Sequence, residues 1–444
     1  MLEVGEAGNN AWLLTSAALV LLMTPGLAFF YSGLVRTKSA AATIMQSFAM
    51  AGVATIVWVM WGYSLAFGTD IGGFVGNLTN FGLRGLEPTA DGLAFMVFQM
   101  MFAIITPALI TGAFVERISF KALLVFTVLW ISFVYAPICH WVWYTSDAGD
   151  GWLYGLGALD FAGGTVVHIN AGAAALAGAL FVGRRRDSVA ETRPHDVSKV
   201  VIGAGLLWFG WFGFNAGSAL AADGAAINAF VQTQISAAGG LVAWTLLTWK
   251  YTGHPSIIGA ATGAVAGLVA ITPAAGSVGQ WPATDGYLNF FPALCIGAVA
   301  SILGFYAIRA MHRWRDMDDT LDVFAVHGVG GIWGALAIGI FAVSEVTGGA
   351  NGFIGGSADL IWRQFVGVIA ALAWSLALSS ILFIVVQKLM PLRVNETEEM
   401  IGLDRSTHNE PAYEFDEIGF GWDASEAIDE PIPSGAEALK RLVS

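Results

Sequence analysis

The chain has 444 residues, of which 56% are hydrophobic and only 12% are charged, with a formal net charge of −13 at pH 7. A soluble domain usually carries about twice this charged fraction, so the composition excludes a protein built around a large water-soluble core. The acidic balance also argues against nucleic-acid binding, because a phosphate backbone attracts basic surfaces.

Eleven apolar runs follow in chain order, and each is long enough, or nearly so, for the roughly 20 residues that a bilayer crossing needs. They lie at about 11–35, 41–68, 92–115, 120–144, 161–183, 197–219, 226–249, 256–272, 290–311, 322–344 and 360–390. The run at 256–272 is the shortest. The pattern predicts an all-α polytopic membrane protein whose eleven transmembrane helices form one domain over residues 1–393.

The distribution of lysine and arginine predicts the orientation, because these residues accumulate in cytoplasmic loops. If the N-terminus lies outside, fifteen basic residues fall at inner loops and helix ends, and only Arg84 and Arg363 fall outside. The fifteen are Arg36, Lys38, Arg117, Lys121, Arg184, Arg185, Arg186, Arg193, Lys199, Lys250, Arg309, Arg313, Arg315, Lys388 and Arg393. We therefore predict an N-out, C-in protein of the cell (plasma) membrane.

The negative charge is concentrated at the C-terminal end. Residues 394–444 contain thirteen acidic and three basic residues. Such a segment is typical of a solvated cytoplasmic tail. It fits either an arm that binds a partner or an adaptation to a salty cytoplasm.

Two histidines lie in apolar runs that contain no other residue titrating near neutral pH, His168 and His327. Each follows an aspartate by eight positions, Asp160 and Asp319, so a D-x7-H pattern occurs twice. An ionisable side chain inside a bilayer is costly and marks a functional site. The two histidines fall in the fifth and tenth runs, which would cross the membrane in opposite directions. This predicts a 5+5 inverted repeat plus one helix, with the histidines as partners near the midplane.

Several longer motifs carry a family resemblance. They are FFYSGLVR (29–36), LDFAGGTVVHINAG (159–172), GWFGFNAGSA (210–219), DVFAVHGVGG (322–331) and GLDRSTHNEPAY (402–413). Together they resemble the ammonium transporter family, the Amt branch of the Amt/Mep/Rh superfamily. The resemblance extends to about Tyr413 and implies a transmembrane ammonium transporter, which is not an enzyme.

The resemblance assigns an outer recruitment site to Trp143, Phe102 and Ser218. NH4+ is close in size to K+ but donates directional hydrogen bonds, so aromatic faces worth about 0.5–2 kcal/mol for a cation and a hydroxyl acceptor suit it. Phe102 and Phe214 match the stacked pair that closes the outer vestibule. Asp160 matches a buried aspartate that shapes the outer site without touching the ion.

The resemblance places His168 and His327 in a narrow apolar pore, lined also by Trp211. A neutral imidazole can accept a hydrogen bond or a proton from the cargo. Thr262 stands where relatives often carry serine, so the hydroxyl is retained. The resemblance further implies a homotrimer with one pore per subunit and a PII-type signalling protein on the cytoplasmic face. The expected cargo is ammonium or ammonia, with methylammonium as a further candidate, and no cofactor or metal is expected.

Each assigned residue also has a simpler interpretation. With 29 phenylalanines and 17 tryptophans in the chain, any one aromatic is more often a packing residue. Ser218 could bond to its own helix, and Asp160 could simply cap a helix N-terminus. An ammonium sensor that signals through its tail is the main alternative function. An Rh-type gas channel would lack the tryptophan and serine, and a sodium-coupled symporter would need coordinating carboxylates.

Overall fold

The computed structural model describes residues 4–186, 194–279, 290–313 and 317–414. The eleven main helices are labelled α1 to α11 in chain order. They are α1 Val4–Leu34, α2 Thr37–Phe67, α3 Ala90–Thr111, α4 Phe120–Trp143, α5 Gly164–Val182, α6 Val197–Gly217, α7 Gly224–Thr252, α8 Ile257–Ile271, α9 Phe291–Met311, α10 Phe324–Phe341 and α11 Asp359–Leu389.

Within the described residues, ten of these helices are long and apolar enough to cross a membrane, and α8 is a shorter apolar helix of 15 residues. The predicted all-α polytopic membrane fold is therefore confirmed. Each of the eleven predicted runs overlaps one of these helices. The exact number of crossings depends on α8, which is short for a full bilayer core. The count of eleven and the N-out orientation stay predictions.

Two small hairpins follow α2 and α4. Strand β1 (Asp70–Ile71) pairs with β2 (Val75–Gly76), and β3 (Thr145–Ser146) pairs with β4 (Gly149–Asp150), both antiparallel. The Trp141 indole donates a 2.8 Å hydrogen bond to the Phe74 carbonyl, which joins the first hairpin to the end of α4. Both hairpins therefore lie at one end of the bundle.

At the end of the bundle opposite the hairpins, buried ion pairs join the connections between helices. The Arg185 guanidinium contacts Asp318 at 2.9 Å and Glu116 at 3.0 Å, and Glu116 also pairs with Arg36 at 2.8 Å. These residues come from four connections, those after α1, α3, α5 and α9. Because a buried charge is costly unless it is paired, the network fixes the four connections on one face. All four were predicted to lie on the inner side.

The helices that the predicted repeat relates approach closely at glycines. A Cβ atom on Gly203 of α6 would lie 2.2 Å from the Phe30 nitrogen of α1, and one on Gly172 of α5 would lie 2.5 Å from the Gly328 Cα of α10. No side chain fits into either space. Small residues of this kind permit close contact between membrane helices. The backbones of α5 and α10 are therefore in direct contact where the two helices cross, at Gly172 and Gly328.

The residues after α11 fold back onto the face that carries the ion pairs. Glu399, in the short helix Glu396–Ile401, contacts Arg393 at 2.6 Å. The Asp404 carboxylate accepts the backbone N–H groups of Ala41 and Ala42, at 3.0 and 2.7 Å, near the start of α2. The first part of the predicted tail is thus packed against the helical domain. Residues 415–444 lie outside the described residues.

Candidate functional site

The start of α5 is organised by Asp160. Its carboxylate accepts backbone N–H groups from Gly163 (2.8 Å), Gly164 (2.6 Å), Thr165 (2.7 Å) and Val166 (3.2 Å), and it also bonds the Thr165 hydroxyl. A helix N-terminus has orphan N–H groups that an aspartate can satisfy. Asp160 therefore sets where α5 begins, and with it the position of residues further along this helix.

Asp319 does the same for α10. Its carboxylate accepts the backbone N–H groups of Val323 (3.0 Å) and Phe324 (2.7 Å). The first turns of α5 and α10, Gly164–Ile169 and Phe324–Val329, are both π-helical and contain His168 and His327 respectively. The D-x7-H pattern is thus one structural unit used twice: an aspartate caps a wide helical turn, and the histidine projects from that turn.

The two units bring their histidines together. The Nδ1 atoms of His168 and His327 lie 3.3 Å apart, and the two rings are near-parallel with centroids 5.3 Å apart. The rings are only 1% and 4% exposed. Two nitrogens at this separation share one hydrogen, so one Nδ1 donates and the other accepts. Among the described residues, the His168 Nε2 atom has no hydrogen-bond partner.

Aromatic rings from α6 cover the histidine pair. Trp211 and Phe214 stack against His168 with centroid distances of 5.5 and 6.0 Å. The Trp211 indole is held in place because it donates a 2.8 Å hydrogen bond to the Thr272 hydroxyl. Thr272 was not singled out in the sequence. A threonine at the end of an apolar run gives no signal until its partner is known.

The residues of the predicted outer site form a second cluster beside Phe214. The rings of Phe102 and Phe214 lie 4.4 Å apart, and Trp143 meets Phe102 edge-on at 5.8 Å. The Trp143 indole donates a 2.8 Å hydrogen bond to the Asp160 carbonyl. The Ser218 hydroxyl donates to the Phe214 carbonyl at 2.9 Å, so its oxygen keeps lone pairs that can accept.

A cavity of about 580 Å³ extends from the histidine pair toward the face that carries the ion pairs. Both histidines, Trp211, Phe214 and Thr262 line it, whereas Phe102 does not. Phe102 and Phe214 are each 1% exposed. Within the described part of the chain, the cavity therefore ends at this phenylalanine pair.

Charged groups surround the far end of the cavity. Burial, followed by the nearby Asp322 carboxylate, raises the pKa of Asp319 to about 7. A 3.0 Å hydrogen bond to Asp322 raises the pKa of His312 above its usual value. This end of the cavity can therefore hold or exchange protons near neutral pH. In the sequence, Asp319 stands out only as part of the repeated D-x7-H pattern, and His312 carries no signal of its own.

The model of the Ammonium Transporter Family matches residues 11–413. The chain belongs to the ammonium transporter family. The match ends at the residue where the sequence motifs end, Tyr413. It also covers both D-x7-H units and both aromatic clusters.

Individual relatives agree with this assignment. An ammonium transporter of Bacillus subtilis (strain 168) is 43% identical over 417 residues, which is 92% of this chain and 99% of that protein. Ammonium transporter Amt1 of Archaeoglobus fulgidus is 44% identical over 407 residues, 91% of this chain and 99% of that protein.

Solved structures show the same fold. The crystal structure of Candida albicans Mep2 matches with a TM-score of 0.80 at 36% identity, over 89% of this chain and 88% of that one. A structure titled Sensor Amt Protein matches with a TM-score of 0.83 at 30% identity, over 91% of this chain and 99% of that one.

Proposed function

We propose that this protein carries ammonium across a membrane through the site formed by the aromatic cluster and the histidine pair. The observation that carries the proposal is the position of the pair. His168 and His327 share a hydrogen at the closed end of a cavity. Phe214 stacks against His168 and Phe102 meets Trp143, so the phenylalanine pair lies between the histidines and the Trp143 indole. Along one path, the cargo would therefore meet first a site that recognises it, then the closed phenylalanine pair, and then the histidines, which can accept its proton.

In the first step, NH4+ is recruited at the predicted outer face. The faces of Phe102 and Trp143 attract the cation, and the Ser218 oxygen accepts one of its N–H groups. The Trp143 hydrogen bond to the Asp160 carbonyl fixes the indole plane, so the cluster needs little reordering when the cation binds. K+ would receive the same cation–π attraction but no hydrogen bond.

In the second step, the cation passes the phenylalanine pair and transfers one proton. The N–H bond of NH4+ breaks, its electron pair stays on nitrogen, and the proton moves to the unpartnered Nε2 atom of His168. Neutral NH3 then crosses the apolar part of the cavity, where a bare cation would be costly. The shared hydrogen then moves to the Nδ1 atom of His327, and His327 releases its Nε2 proton into the cavity, so the pair is neutral again. NH3 regains this proton toward the end of the cavity that Asp319 and His312 line.

Supported-membrane electrophysiology tests this function. Proteoliposomes that contain the protein should give a transient current after an ammonium pulse and a much smaller one after an equal potassium pulse. Protein-free liposomes provide the baseline. Equal responses to the two cations, or an ammonium response no larger than the baseline, would rule out the proposed transport.

An ammonium sensor is the second candidate, favoured by the likeness to the protein titled Sensor Amt Protein. The segment after α11 also packs against the face at the far end of the cavity, where His195 Nε2 lies 3.0 Å from the Tyr413 hydroxyl. Deleting the residues after Tyr413 separates the two functions. Retained transport with a lost signalling response would favour the sensor, and the lack of any ammonium-dependent signalling response in the full chain would favour transport alone.

A further inference from the structure

Helix α11 lies outside the two predicted five-helix repeats and supplies none of the predicted site residues. One of its side chains nevertheless forms hydrogen bonds with the segment that leads into α5. Gln364 is only 2% exposed, and its Oε1 atom accepts the backbone N–H of Leu159 at 2.6 Å. Its Nε2 atom donates to the Leu159 carbonyl at 2.7 Å and to the Ala335 carbonyl of α10 at 3.0 Å. The amide therefore pairs with both backbone groups of one residue, as a neighbouring strand would.

A second side chain of α11 forms a hydrogen bond further along the chain, within α5 itself. The Ser375 hydroxyl, which is fully buried, donates a 2.7 Å hydrogen bond to the Asn170 carbonyl in α5. Gln364 and Ser375 are eleven residues apart on α11, and so are Leu159 and Asn170 on the other segment. At 1.5 Å per residue, the two attachment points on α11 are about 16 Å apart. Asp160 and His168 both lie between the two attachment points.

The attached residues adjoin the chemistry directly. Leu159 precedes Asp160, whose carbonyl accepts the Trp143 indole N–H. Asn170 follows His168 by two positions. The Gln364 bond to Ala335 also joins this segment to α10, which carries His327. A buried side chain of α11 that is hydrogen-bonded to the backbone of two other elements restricts both of them.

We propose that Gln364 and Ser375 are positioning residues for ammonium transport: Gln364 fixes the outer aromatic site through Leu159 and Asp160, and Ser375 fixes His168. Neither side chain touches the predicted path of the cargo. The proposal rests on the proposed function, because it assigns the two residues separate effects on recruitment and on passage. The alternative is that both residues serve only ordinary helix packing. In that case their substitution would not affect recruitment and passage separately.

The chain offers a matched control for helix packing. Ser379 lies one turn beyond Ser375 on the same face of α11 and is equally buried, but it accepts the Trp130 indole N–H of α4 at 3.0 Å. Ser379→Ala therefore removes a similar hydroxyl from the same helix without releasing α5. Gln46 of α2, also 2% exposed, provides the corresponding control for a buried amide.

Hydrogen–deuterium exchange tests the attachment without any assay of transport. In Gln364→Met, the backbone amides of residues 159–165 should exchange about tenfold faster, because the Leu159 N–H loses its partner and the capped turn loosens. Gln46→Met should leave this segment unchanged. If Gln364→Met does not fold, Gln364→Glu keeps the acceptor for Leu159 and should show a smaller increase. Wild-type exchange at 159–165 in the folded variant would overturn the proposal.

Transport kinetics test the separate effects. Gln364→Met should raise the half-saturating ammonium concentration about tenfold and change the maximal rate by less than about twofold. Ser375→Ala should instead lower the maximal rate with little change in half-saturation, and Ser379→Ala should alter neither. If Gln364→Met, Ser375→Ala and Ser379→Ala changed half-saturation and maximal rate to the same extent, the proposed positioning roles would be overturned. If wild-type protein shows no ammonium transport, the proposed function fails, while the exchange measurement still decides whether Gln364 holds the segment.

Discussion

The Nδ1 atoms of His168 and His327 lie 3.3 Å apart although the two residues are 159 positions apart in the chain. The contact follows from the two capped turns and from the close approach of α5 and α10. Since one hydrogen serves both nitrogens, the protonation of one ring determines which atom the other presents to the cavity. Because the two rings share this hydrogen, a change to either histidine alters the chemistry of both.

The glycine crossing provides a test of that geometry. In Gly172→Val, the new side chain would overlap Gly328, where even a Cβ atom would lie 2.5 Å from the Cα atom. We expect the helices to separate, the histidine contact to break and ammonium transport to fall at least about tenfold, with some loss of stability as in an overpacked core. Transport rates in proteoliposomes and melting in detergent measure the two effects.

Gly205→Val on α6 is the control, because no atom of the described residues lies within 4 Å of its Cβ position. It should retain wild-type transport. An active Gly172→Val protein would show that the close approach of the histidines is unnecessary.

The outer aromatic cluster predicts a change in apparent affinity. Ser218→Ala removes the only hydroxyl assigned to the cation, and Trp143→Leu removes an aromatic face. Each should raise the half-saturating ammonium concentration about tenfold, with a smaller effect on the maximal rate. Trp362→Leu is the matched control, because this tryptophan on α11 is 61% exposed. An equal shift in Trp362→Leu would contradict a specific role for Trp143.

Much of this arrangement could be predicted from the sequence. Each D-x7-H pattern stands out because an apolar run tolerates few ionisable residues, and the repeat made each histidine the natural partner of the other. The apolar runs located all eleven helices because bilayer thickness sets a minimum length. Phe102 could not be found in this way. One ring among 29 phenylalanines gains meaning only from the family resemblance or from its 4.4 Å distance to Phe214.

The contacts made by polar residues of ordinary helices could not be predicted. Gln364 bonds to residues 205 and 29 positions away, and no local pattern specifies such partners. For the buried ion pairs, the sequence predicted only that the basic residues lie on the inner side of the membrane. Their acidic partners, Glu116 and Asp318, come from separate connections that the fold brings together.

The buried carboxyl of Asp319 predicts a dependence of stability on pH. Its pKa is raised to about 7 in the folded protein, whereas an unfolded aspartate titrates near about 3.9. The folded state therefore binds this proton more tightly, and its stabilising effect, full below about pH 4, is lost as the pH rises through about 7. Asp319→Asn keeps a capping side chain but cannot titrate.

Melting temperatures measured from pH 5 to pH 8 check this prediction. Relative to Asp319→Asn, the wild-type protein should lose stability as the pH rises over this range. A constant difference between the two proteins would mean that Asp319 does not titrate in this window.

The most direct measurement of the proposed mechanism is the ammonium-evoked current of wild-type protein and His168→Ala in proteoliposomes at equal protein density. The substitution removes the Nε2 base and the shared hydrogen of the pair while leaving the outer cluster in place. We predict that selective ammonium current is lost in His168→Ala, or that potassium is then conducted as well as ammonium. A wild-type ammonium current with unchanged selectivity in His168→Ala would contradict proton transfer at the histidine pair.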